Sequence, residues 1–256
     1  MIKLKNISLK YPKFQIKDLN LTIGDGEIVA ITGNNASGKT TLIKLIAGLI
    51  KPKKGVILID GKTKGEQKIG IVLQNPDNQI IFNQVSDDIA FTLKNYHVPK
   101  DEFAERISSA LKLVEMEDFA QSETFSLSTG QKQRIVIANM LAIKPEIMIF
   151  DEASVYLDPS TKQVLYKIFA NLKQQGVTVI FTTNLIEEIA YADKIAILDG
   201  GNLVSFKTKD AMLSDLSDYR KLGVYIPLKL SLIEQFHASG CYDDEKLLQF
   251  IKARVK

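Results

Sequence analysis

The sequence predicts an α/β fold with a mainly parallel sheet, an antiparallel β layer and an inserted helical subdomain. Short apolar runs of strand character alternate with amphipathic helical segments, which is typical of a parallel sheet covered on both faces. The early strands are joined by connections too short for crossover helices, so we expect them to pair antiparallel. From about residue 86 to 142 the pattern is mostly helical, which is long for a crossover and indicates an insertion.

Nine segments have the composition and period of strands, because apolar or alternating runs are bounded by turn residues. In chain order they are residues 2–9, 16–23, 27–32, 55–59, 68–73, 146–150, 177–182, 194–198 and 203–206. A helix is predicted after Gly38, where apolar residues recur at helical spacing, and it ends before Pro52. Two further helices are predicted in the gaps that flank the strand at 177–182.

The composition limits the classes of partner and compartment. Lysine and arginine number 33 and aspartate and glutamate 30, so the net charge of +3 gives no expectation of nucleic-acid binding. The single cysteine, Cys241, leaves no internal disulfide and fits a reducing compartment. The N-terminus lacks the apolar core of a signal peptide, and no stretch approaches about 18 uninterrupted apolar residues. A membrane role would therefore require docking on an embedded partner.

Residues 33–40, with the sequence G-N-N-A-S-G-K-T, match the phosphate-binding pattern G-x-x-x-x-G-K-[ST] between an apolar strand and an amphipathic helix. Backbone N–H groups of the loop and the positive helix end can wrap a polyphosphate, while Lys39 reaches the terminal phosphates. Gly33 and Gly38 allow a backbone approach that a Cβ would obstruct. The predicted nucleotide-binding residues of the loop are Gly33, Asn34, Asn35, Ala36, Ser37, Gly38, Lys39, Thr40 and Thr41.

A carboxylate pair follows the apolar run 147–150, in the segment I-M-I-F-D-E. A phosphate loop needs an acidic residue for its metal on a neighbouring strand end, and Asp151 fits the Mg²⁺ shell together with the Thr40 hydroxyl. Glu152 is then placed to polarise the water that attacks the terminal phosphate in line. On its own, Asp-Glu after a strand would more often be a solvated strand end.

The segment FSLSTGQKQRIVIANMLA, residues 125–142, resembles the signature motif of ATP-binding-cassette (ABC) ATPases, which is usually L-S-G-G-Q. It lies about 90 residues after Lys39 and about 20 before Asp151, which is the spacing of that family. The order of tyrosine, phosphate loop, glutamine, signature, Asp-Glu and Leu-Asp-Pro also agrees, over residues 1 to about 210. The resemblance implies a P-loop NTPase fold, ATP and Mg²⁺ as cofactors, and ATP hydrolysis as the activity.

The signature residues can also be interpreted from their own chemistry. Ser128 and Gln131 form an S-x-x-Q capping box that opens a helix, whose free N–H groups would offer a second anion site. One nucleotide cannot easily touch this site and the phosphate loop of the same molecule, and the resemblance implies a head-to-tail pair in which each signature closes on the partner's ATP. The signature residues are Ser128, Thr129, Gly130 and Gln131. An ordinary capped helix is the alternative, but it does not explain the place of the motif in this series.

Three further positions take roles from the resemblance. Tyr11 is similar to the aromatic that stacks on adenine, with an ordinary exposed tyrosine as the alternative. Gln74 matches the loop glutamine that touches Mg²⁺ and senses ATP. Asp158 matches the aspartate that crosses the dimer, and it could also cap the next helix with Pro159 at the first position.

Asn184 departs from the family pattern, in which the strand ends in Thr-His and the histidine contacts the γ-phosphate. Here Thr183 precedes Asn184, and the two histidines of the chain, His97 and His237, lie far from this strand end in sequence. We expect Asn184 to face the phosphates, where its amide can donate a hydrogen bond but cannot carry a positive charge. Losing a fitted transition-state donor costs about 10²–10³ in rate, and asparagine would recover only part of that.

Two more departures concern the dimer. Thr129 replaces the usual first glycine of the signature, and Val155 stands where the dimer-crossing loop usually has a small polar residue. Together with Asn184 they favour a heterodimer, in which this subunit binds ATP firmly, hydrolyses it less well at its own loop and relies on a related partner. Glu152 is intact, so an inactive site is not implied.

The stretch LQNPDNQIIFNQVSDDIAF, residues 73–91, is similar to the Q-N-P-D-x-Q segment of energy-coupling-factor (ECF) importers, which take up vitamins or metal ions. In that branch a short helix after the glutamine receives coupling helices of a membrane subunit. The residues that would supply these contacts are Gln79, Ile80, Ile81 and Phe82. A generic surface loop is the alternative.

These features divide the chain into two parts. Residues 1–216 form the predicted ABC ATPase domain, with its helical subdomain at about 79–145, and residues 217–256 form a short helical extension. The extension is expected to contain two short helices. It weakly resembles a segment that holds the ATPase pair together, although a simple packing tail is nearly as consistent with its sequence.

The resemblance implies an ATPase subunit, peripheral to the cytoplasmic face of the cell membrane, that energises an ECF-type importer. Its implied partners are a second, related ATPase, an integral membrane coupling subunit that docks near residues 79–82 and a substrate-binding membrane subunit. The alternatives are a soluble ABC ATPase with no transport role and an ATP-binding regulatory subunit with little turnover.

Overall fold

The computed structural model describes residues 1–12, 14–63 and 68–238, and in these ranges the named strands form two sheets. The strands are, in chain order, β1 (Ile2–Tyr11), β2 (Phe14–Ile23), β3 (Ile28–Thr32), β4 (Lys54–Ile59), β5 (Ile69–Val72), β6 (Ile147–Asp151), β7 (Thr178–Thr183), β8 (Lys194–Asp199) and β9 (Asn202–Thr208). The α-helices are α1 (Lys39–Ile46), α2 (Val85–Asn95), α3 (Phe103–Leu113), α4 (Thr129–Ala142), α5 (Pro159–Gln174), α6 (Lys209–Ser214), α7 (Ser217–Lys221) and α8 (Leu228–Ala238). The predicted α/β class is confirmed.

The central sheet has the spatial order β5-β6-β7-β3-β8-β9, and its neighbours are parallel except for β8 and β9. β3, β6 and β7 are buried along their whole length, because both faces of the sheet are covered. Successive residues of β3 point to opposite faces, so Ile31 joins one core and Ala30 the other. Since β6, β7 and β3 are parallel neighbours, their carboxyl ends meet at one edge of the sheet.

The second sheet, β2-β1-β4, is antiparallel, as the short early connections predict. One core joins alternate residues of β1, such as Ile2 and Leu4, to Leu42 and Ile46 of α1. β3 and β5 also come early in the chain, yet both belong to the central sheet. The physical reason is that α1 follows β3 and the long helical insertion follows β5, so both strands have room for crossovers.

The predicted helical insertion is formed by α2, α3 and α4, which lie between β5 and β6 in the chain. These helices share the larger core with α5, to which Ile89 of α2 and Phe169 of α5 both contribute. The helix predicted between β7 and β8 is a 3₁₀ helix, Ile186–Tyr191, because the short connection has no room for a full α-helix. Within the described ranges, no helix combines the length and apolar character needed to span a bilayer.

The C-terminal extension packs against the rest of the fold through α7 and α8. Tyr219 of α7 is fully buried in the larger core, and this burial raises the pKa of its hydroxyl, with Thr32 opposing the shift. α8 is tied to α7 because Arg220 Nη1 donates to Glu234 Oε1 at 2.8 Å. The second predicted helix of the extension lies outside the described residues, and the division of the chain at residue 217 stays a proposal.

We expect Tyr219→Ala to lower the free energy of unfolding by about 3–5 kcal/mol, because it removes a large side chain from a closed core. Tyr225→Ala is the matched control, since Tyr225 is 81% exposed, and its effect should stay within about 0.5 kcal/mol. Urea unfolding followed by circular dichroism measures both. If Tyr219→Ala lowers the free energy of unfolding as little as Tyr225→Ala does, the extension contributes nothing to the stability of the core.

Candidate nucleotide-binding site

The loop of residues 33–40 connects β3 to α1 in a conformation that depends on its glycines. Gly33 has a φ of 144°, and a Cβ there would lie 2.0 Å from the carbonyl oxygen of Leu198. Gly38 has a φ of 107°, and a Cβ there would lie 2.5 Å from the ring of Phe14. Any larger residue would collide at either position, so the predicted role of these two glycines in backbone approach agrees with the geometry.

A cavity of about 570 Å³ opens beside this loop. Its walls are Tyr11, Pro12, Phe14, residues 35–41 and Glu152. The volume falls within the range of small-molecule sites. Tyr11 is 44% exposed, so much of its ring is accessible to a stacking base, as its predicted role requires.

Lys39 is only 5% exposed and has three hydrogen-bond acceptors around its ammonium group. Its Nζ donates to the carbonyl oxygens of Gly33 at 3.0 Å and Asn34 at 3.2 Å, and to Asn184 Oδ1 at 2.6 Å. Burial lowers the pKa of Lys39, and two nearby carboxylates oppose that shift. A buried cation beside a loop of backbone N–H groups is a favourable place for phosphate oxygens.

Asp151, at the end of β6, faces the phosphate loop. Its Oδ1 accepts hydrogen bonds from Thr40 Oγ1 at 3.1 Å and from Thr182 Oγ1 at 2.7 Å, and the residue is 3% exposed. Mg²⁺ prefers hard oxygen ligands, which the Asp151 carboxylate, the Thr40 hydroxyl and the amide oxygen of Gln74 can supply. The donor set therefore fits a magnesium ion beside the phosphate loop.

Glu152 is held in a left-handed backbone conformation with a φ of 48°, which is uncommon for a residue with a Cβ. Its N–H donates to Thr182 Oγ1 at 2.9 Å. Its carboxylate accepts from two amides, namely Asn184 Nδ2 at 2.7 Å on Oε1 and Gln74 Nε2 at 3.0 Å on Oε2. Both oxygens are thus fixed at the cavity wall, where the predicted polarisation of a water would need them.

Asn184 bridges the lysine of the phosphate loop and the glutamate of the carboxylate pair. Its Oδ1 accepts from Lys39 and its Nδ2 donates to Glu152, while Glu152 Oε1 and Lys39 Nζ are 3.8 Å apart. A side-chain amide can do both at once because it has one acceptor end and one donor end. The structure therefore places Asn184 at the predicted site, and its role toward the phosphates stays a prediction.

The signature residues open α4 with the predicted capping box. Gln131 N–H donates to Ser128 Oγ at 3.3 Å, and Ser128 N–H donates to Gln131 Oε1 at 2.8 Å. Ser128 is exposed, so this helix start faces away from the core. A Cβ on Gly130 would lie 3.1 Å from the carbonyl oxygen of Tyr156, so the signature lies against the loop between β6 and α5 of its own chain.

Asp158 caps α5, as its sequence position allows. Its carboxylate accepts from Ser160 Oγ and, at 3.0 Å each, from the N–H groups of Ser160 and Thr161. The Ser160 hydroxyl and the other donors hold the pKa of Asp158 well below its usual range. The capping role is confirmed, and the role across a dimer stays a prediction.

Sequence reasoning missed Pro12, Phe14 and Thr182, of which the last two have the clearest roles. Phe14 lines the cavity and is paired with Tyr11 across the β1–β2 turn, and that hairpin register was the signal for it. Thr182, at the end of β7, binds Asp151 and the N–H of Glu152 through one hydroxyl. The sequence signal for Thr182 was a polar residue at the end of the strand that follows the carboxylate pair in the chain.

The predicted docking segment is residues 79–82. Its first two residues bond or pack within the chain, and its last two are exposed. Gln79 is used internally, since its Oε1 accepts from the N–H of Leu73 at 2.6 Å and its Nε2 donates to the carbonyl of Ile71 at 2.9 Å. Ile80 packs against the larger core. Both side chains are engaged within the chain and remain partly exposed, so their expected contacts with a membrane partner stay a prediction.

The last two residues of this segment belong to an exposed apolar surface that includes one residue the sequence did not suggest. Ile81 is 67% exposed and Phe82 is 38% exposed. Phe125 is 68% exposed, and the residue before it bonds to this segment, since Thr124 Oγ1 donates to the carbonyl of Phe82 at 2.8 Å. We call Ile81, Phe82 and Phe125 the docking surface, after the contact that the sequence predicts for this segment.

The phosphate loop, the carboxylate pair and this sheet order define a P-loop nucleoside triphosphatase. The ABC transporter family matches residues 16–155, which contain the loop, the docking surface, the signature and the carboxylate pair. The chain therefore belongs to the ABC transporter family. The prediction of an ABC ATPase is confirmed.

Proteins of this family are similar to the chain over most of its length. The energy-coupling factor transporter ATP-binding protein EcfA1 of Ligilactobacillus salivarius is 41% identical over 251 residues, which cover 94% of this chain and 89% of the relative. The structure of cbiO1 from Clostridium perfringens, part of the ABC transporter complex cbiONQ, has a TM-score of 0.76 at 30% identity and covers 91% of this chain and 98% of that chain. The ATP-binding cassette MJ0796, a dimer in a post-hydrolysis state bound to ADP and Pi, has a TM-score of 0.74 at 30% identity, covering 82% and 99%. The predicted resemblance to ECF ATPases is confirmed.

We expect Asn184→His to raise ATP hydrolysis by the assembled complex about tenfold, because histidine can carry charge and relay a proton beside the γ-phosphate. Asn184→Ala should lower hydrolysis at this chain's own loop, since both hydrogen bonds of the bridge are lost, and should lower the total rate of the complex by less than twofold. Phosphate release at saturating ATP and Mg²⁺ measures both. Asn95→His, at an exposed position at the end of α2, is the control for a new histidine. Unchanged turnover of Asn184→His would contradict the account of this site.

Proposed function

We propose that this chain is the ATP-hydrolysing subunit of an importer of the energy-coupling-factor type, which takes up a vitamin or a metal ion. The observation that carries the proposal is the likeness to EcfA1 proteins, at 37% to 41% identity over more than nine-tenths of the chain. The similarity of cbiO1, part of an ABC transporter complex, supports it. ATP hydrolysis itself follows from membership of the family.

ATP fits the cavity with its adenine on Tyr11 and its phosphates in the loop of residues 33–40. Mg²⁺ bound by Thr40 and Asp151 would neutralise phosphate charge. Glu152 takes up the proton of the attacking water, and its carboxylate is already fixed by two amides. Lys39 exchanges some of its present acceptors for phosphate oxygens.

A second ATPase subunit completes each site in this proposal. The capped start of α4 is exposed at Ser128, so its N–H groups are available to an anion on another molecule. We propose a related subunit rather than a second copy, because Thr129, Val155 and Asn184 depart from the usual pattern. In that arrangement hydrolysis at this chain's own loop is slower than a histidine would allow, because Asn184 cannot carry a positive charge, and the partner's site carries more of the turnover.

The docking surface is the proposed contact with an integral membrane coupling subunit, through which a substrate-binding membrane subunit is energised. Ile81 and Phe82 are exposed at the tip of a segment that internal hydrogen bonds hold in place. An exposed apolar patch on a rigid support is typical of a protein contact. This contact would hold the chain at the cytoplasmic face of the membrane as a peripheral subunit.

We expect Phe82→Asp to abolish copurification of membrane subunits while the second ATPase is retained, because a buried unpaired charge in the contact costs several kcal/mol. Mass spectrometry of proteins captured by the tagged chain from detergent-solubilised membranes is the measurement. Leu49→Asp is the control, since Leu49 is an exposed apolar residue at 56% on another part of the surface. Capture of no polytopic membrane protein by the unmodified chain would contradict the proposed function.

A further inference from the structure

Asp88, in the first turn of α2, is a buried carboxylate that binds the backbone of the docking surface. It is 2% exposed. Its Oδ1 accepts from the N–H groups of Ile81 at 2.8 Å and Phe82 at 3.0 Å. A buried carboxylate is costly unless its oxygens are hydrogen-bonded, so the backbone of this segment and the Asp88 side chain stabilise each other.

The other oxygen of Asp88 reaches the helix that carries the signature. Asn139 Nδ2, on α4, donates to Asp88 Oδ2 at 2.5 Å, and Asn139 is 4% exposed. The Oδ1 atom of Asn139 is buried without a hydrogen-bond partner in the described part of the chain. The hydrogen bond to Asp88 is therefore what fixes this amide, and its donor end must face Asp88 because a carboxylate only accepts.

Asn139 lies on α4 and Ser128 is the N-cap of the same helix, so a rigid displacement of α4 moves both residues. Two weaker polar contacts also join α4 to the segment that precedes α2. Lys132 Nζ pairs with Asp77 at 2.7 Å, and Gln133 Nε2 donates to the carbonyl of Leu73 at 3.4 Å. The ion pair has a partly exposed carboxylate, and such pairs contribute at most about 1 kcal/mol. Of these three contacts between α4 and residues 73–88, the buried bond is the shortest and the one that involves a buried charge.

We propose that Asp88 and Asn139 are positioning residues that link the docking surface to the signature. A membrane subunit seated on Ile81 and Phe82 moves the backbone that Asp88 holds, and Asp88 moves α4 through Asn139. The signature residues at the start of α4 then approach or leave the nucleotide held by the partner. This inference rests on the proposed function, since it needs a membrane subunit on the docking surface.

The test compares Asn139→Leu with the exchanged pair Asp88→Asn plus Asn139→Asp. The single change removes the amide that donates to Asp88 Oδ2 and breaks the link. The exchange restores it, because the new Asn can still accept from both backbone N–H groups through Oδ1 and can donate through Nδ2. The measured quantity is coupling, defined as the ATPase rate of the complete complex in liposomes divided by that of the ATPase pair alone.

Asn139→Leu is expected to lower coupling at least tenfold while the rate of the pair alone changes less than twofold and the membrane subunit still copurifies. The exchanged pair is expected to return coupling to within twofold of the unmodified complex. Asn139→Ala serves where Asn139→Leu does not fold, and it should lower coupling as well. Tyr96→Phe is the matched control, since Tyr96, the residue after α2, donates to the carbonyl of Ile69 and does not touch α4 through that bond. Its coupling should be unchanged.

Unchanged coupling in both Asn139 variants would overturn the inference. So would an exchanged pair that regains the thermal stability of the unmodified complex but not its coupling, because the restored bond would then have no part in transmission. If the unmodified complex shows no stimulation by the membrane subunits, the proposed function fails and the inference fails with it. If the membrane subunits stimulate the unmodified complex and the coupling of the variants is unchanged, the inference fails while the proposed function stands.

Discussion

The site depends on the order of three parallel strands. β6, β7 and β3 are neighbours, and their register pairs Asp151 with Thr182 and Thr32 with Thr183. The carboxylate pair, Asn184 and the phosphate loop each begin where one of these strands ends. Neighbouring strands are about 4.8 Å apart, so the sheet brings Lys39 within hydrogen-bond distance of Asn184 although 145 residues separate them in sequence. Any other strand order would disperse the groups on which the chemistry relies.

Hydrogen bonds within the site compensate its two buried charges. The ammonium of Lys39 and the carboxylate of Glu152 are both largely buried, and Asn184 gives each of them a hydrogen bond. A histidine at this position would change its charge near neutral pH, whereas an amide stays neutral and keeps both bonds. The bridge therefore fixes the positions of the lysine and the glutamate relative to each other, and nucleotide binding has to exchange part of it. This is the physical basis of the proposal that the chain turns ATP over slowly at its own loop.

Motifs with local mechanics were predictable from sequence, and contacts between distant elements were not. The phosphate loop, the capping box at Ser128 and the cap at Asp158 depend on residues within a few positions of one another, so spacing alone located them. The inward use of Gln79 was not predictable, because its amide bonds the backbone at the end of β5 and nothing in the pattern marks that partner. The bond between Asp88 and Asn139 spans 51 residues, and the burial of Tyr219 depends on how α7 packs on the core. These are consequences of tertiary packing, which periodicity and propensity do not encode.

The central claim is that the phosphate loop of one subunit and the signature of another close on a single nucleotide. A photo-crosslinking amino acid at Thr129, in the complete complex with a non-hydrolysable ATP analogue that keeps a triphosphate at both phosphate loops, tests it most directly. The account predicts crosslinks from Thr129 to a peptide of the partner's phosphate loop, which form with the analogue and Mg²⁺ and are lost with ADP. Crosslinks that are the same with and without the analogue, or that never reach the partner's phosphate loop, would contradict it.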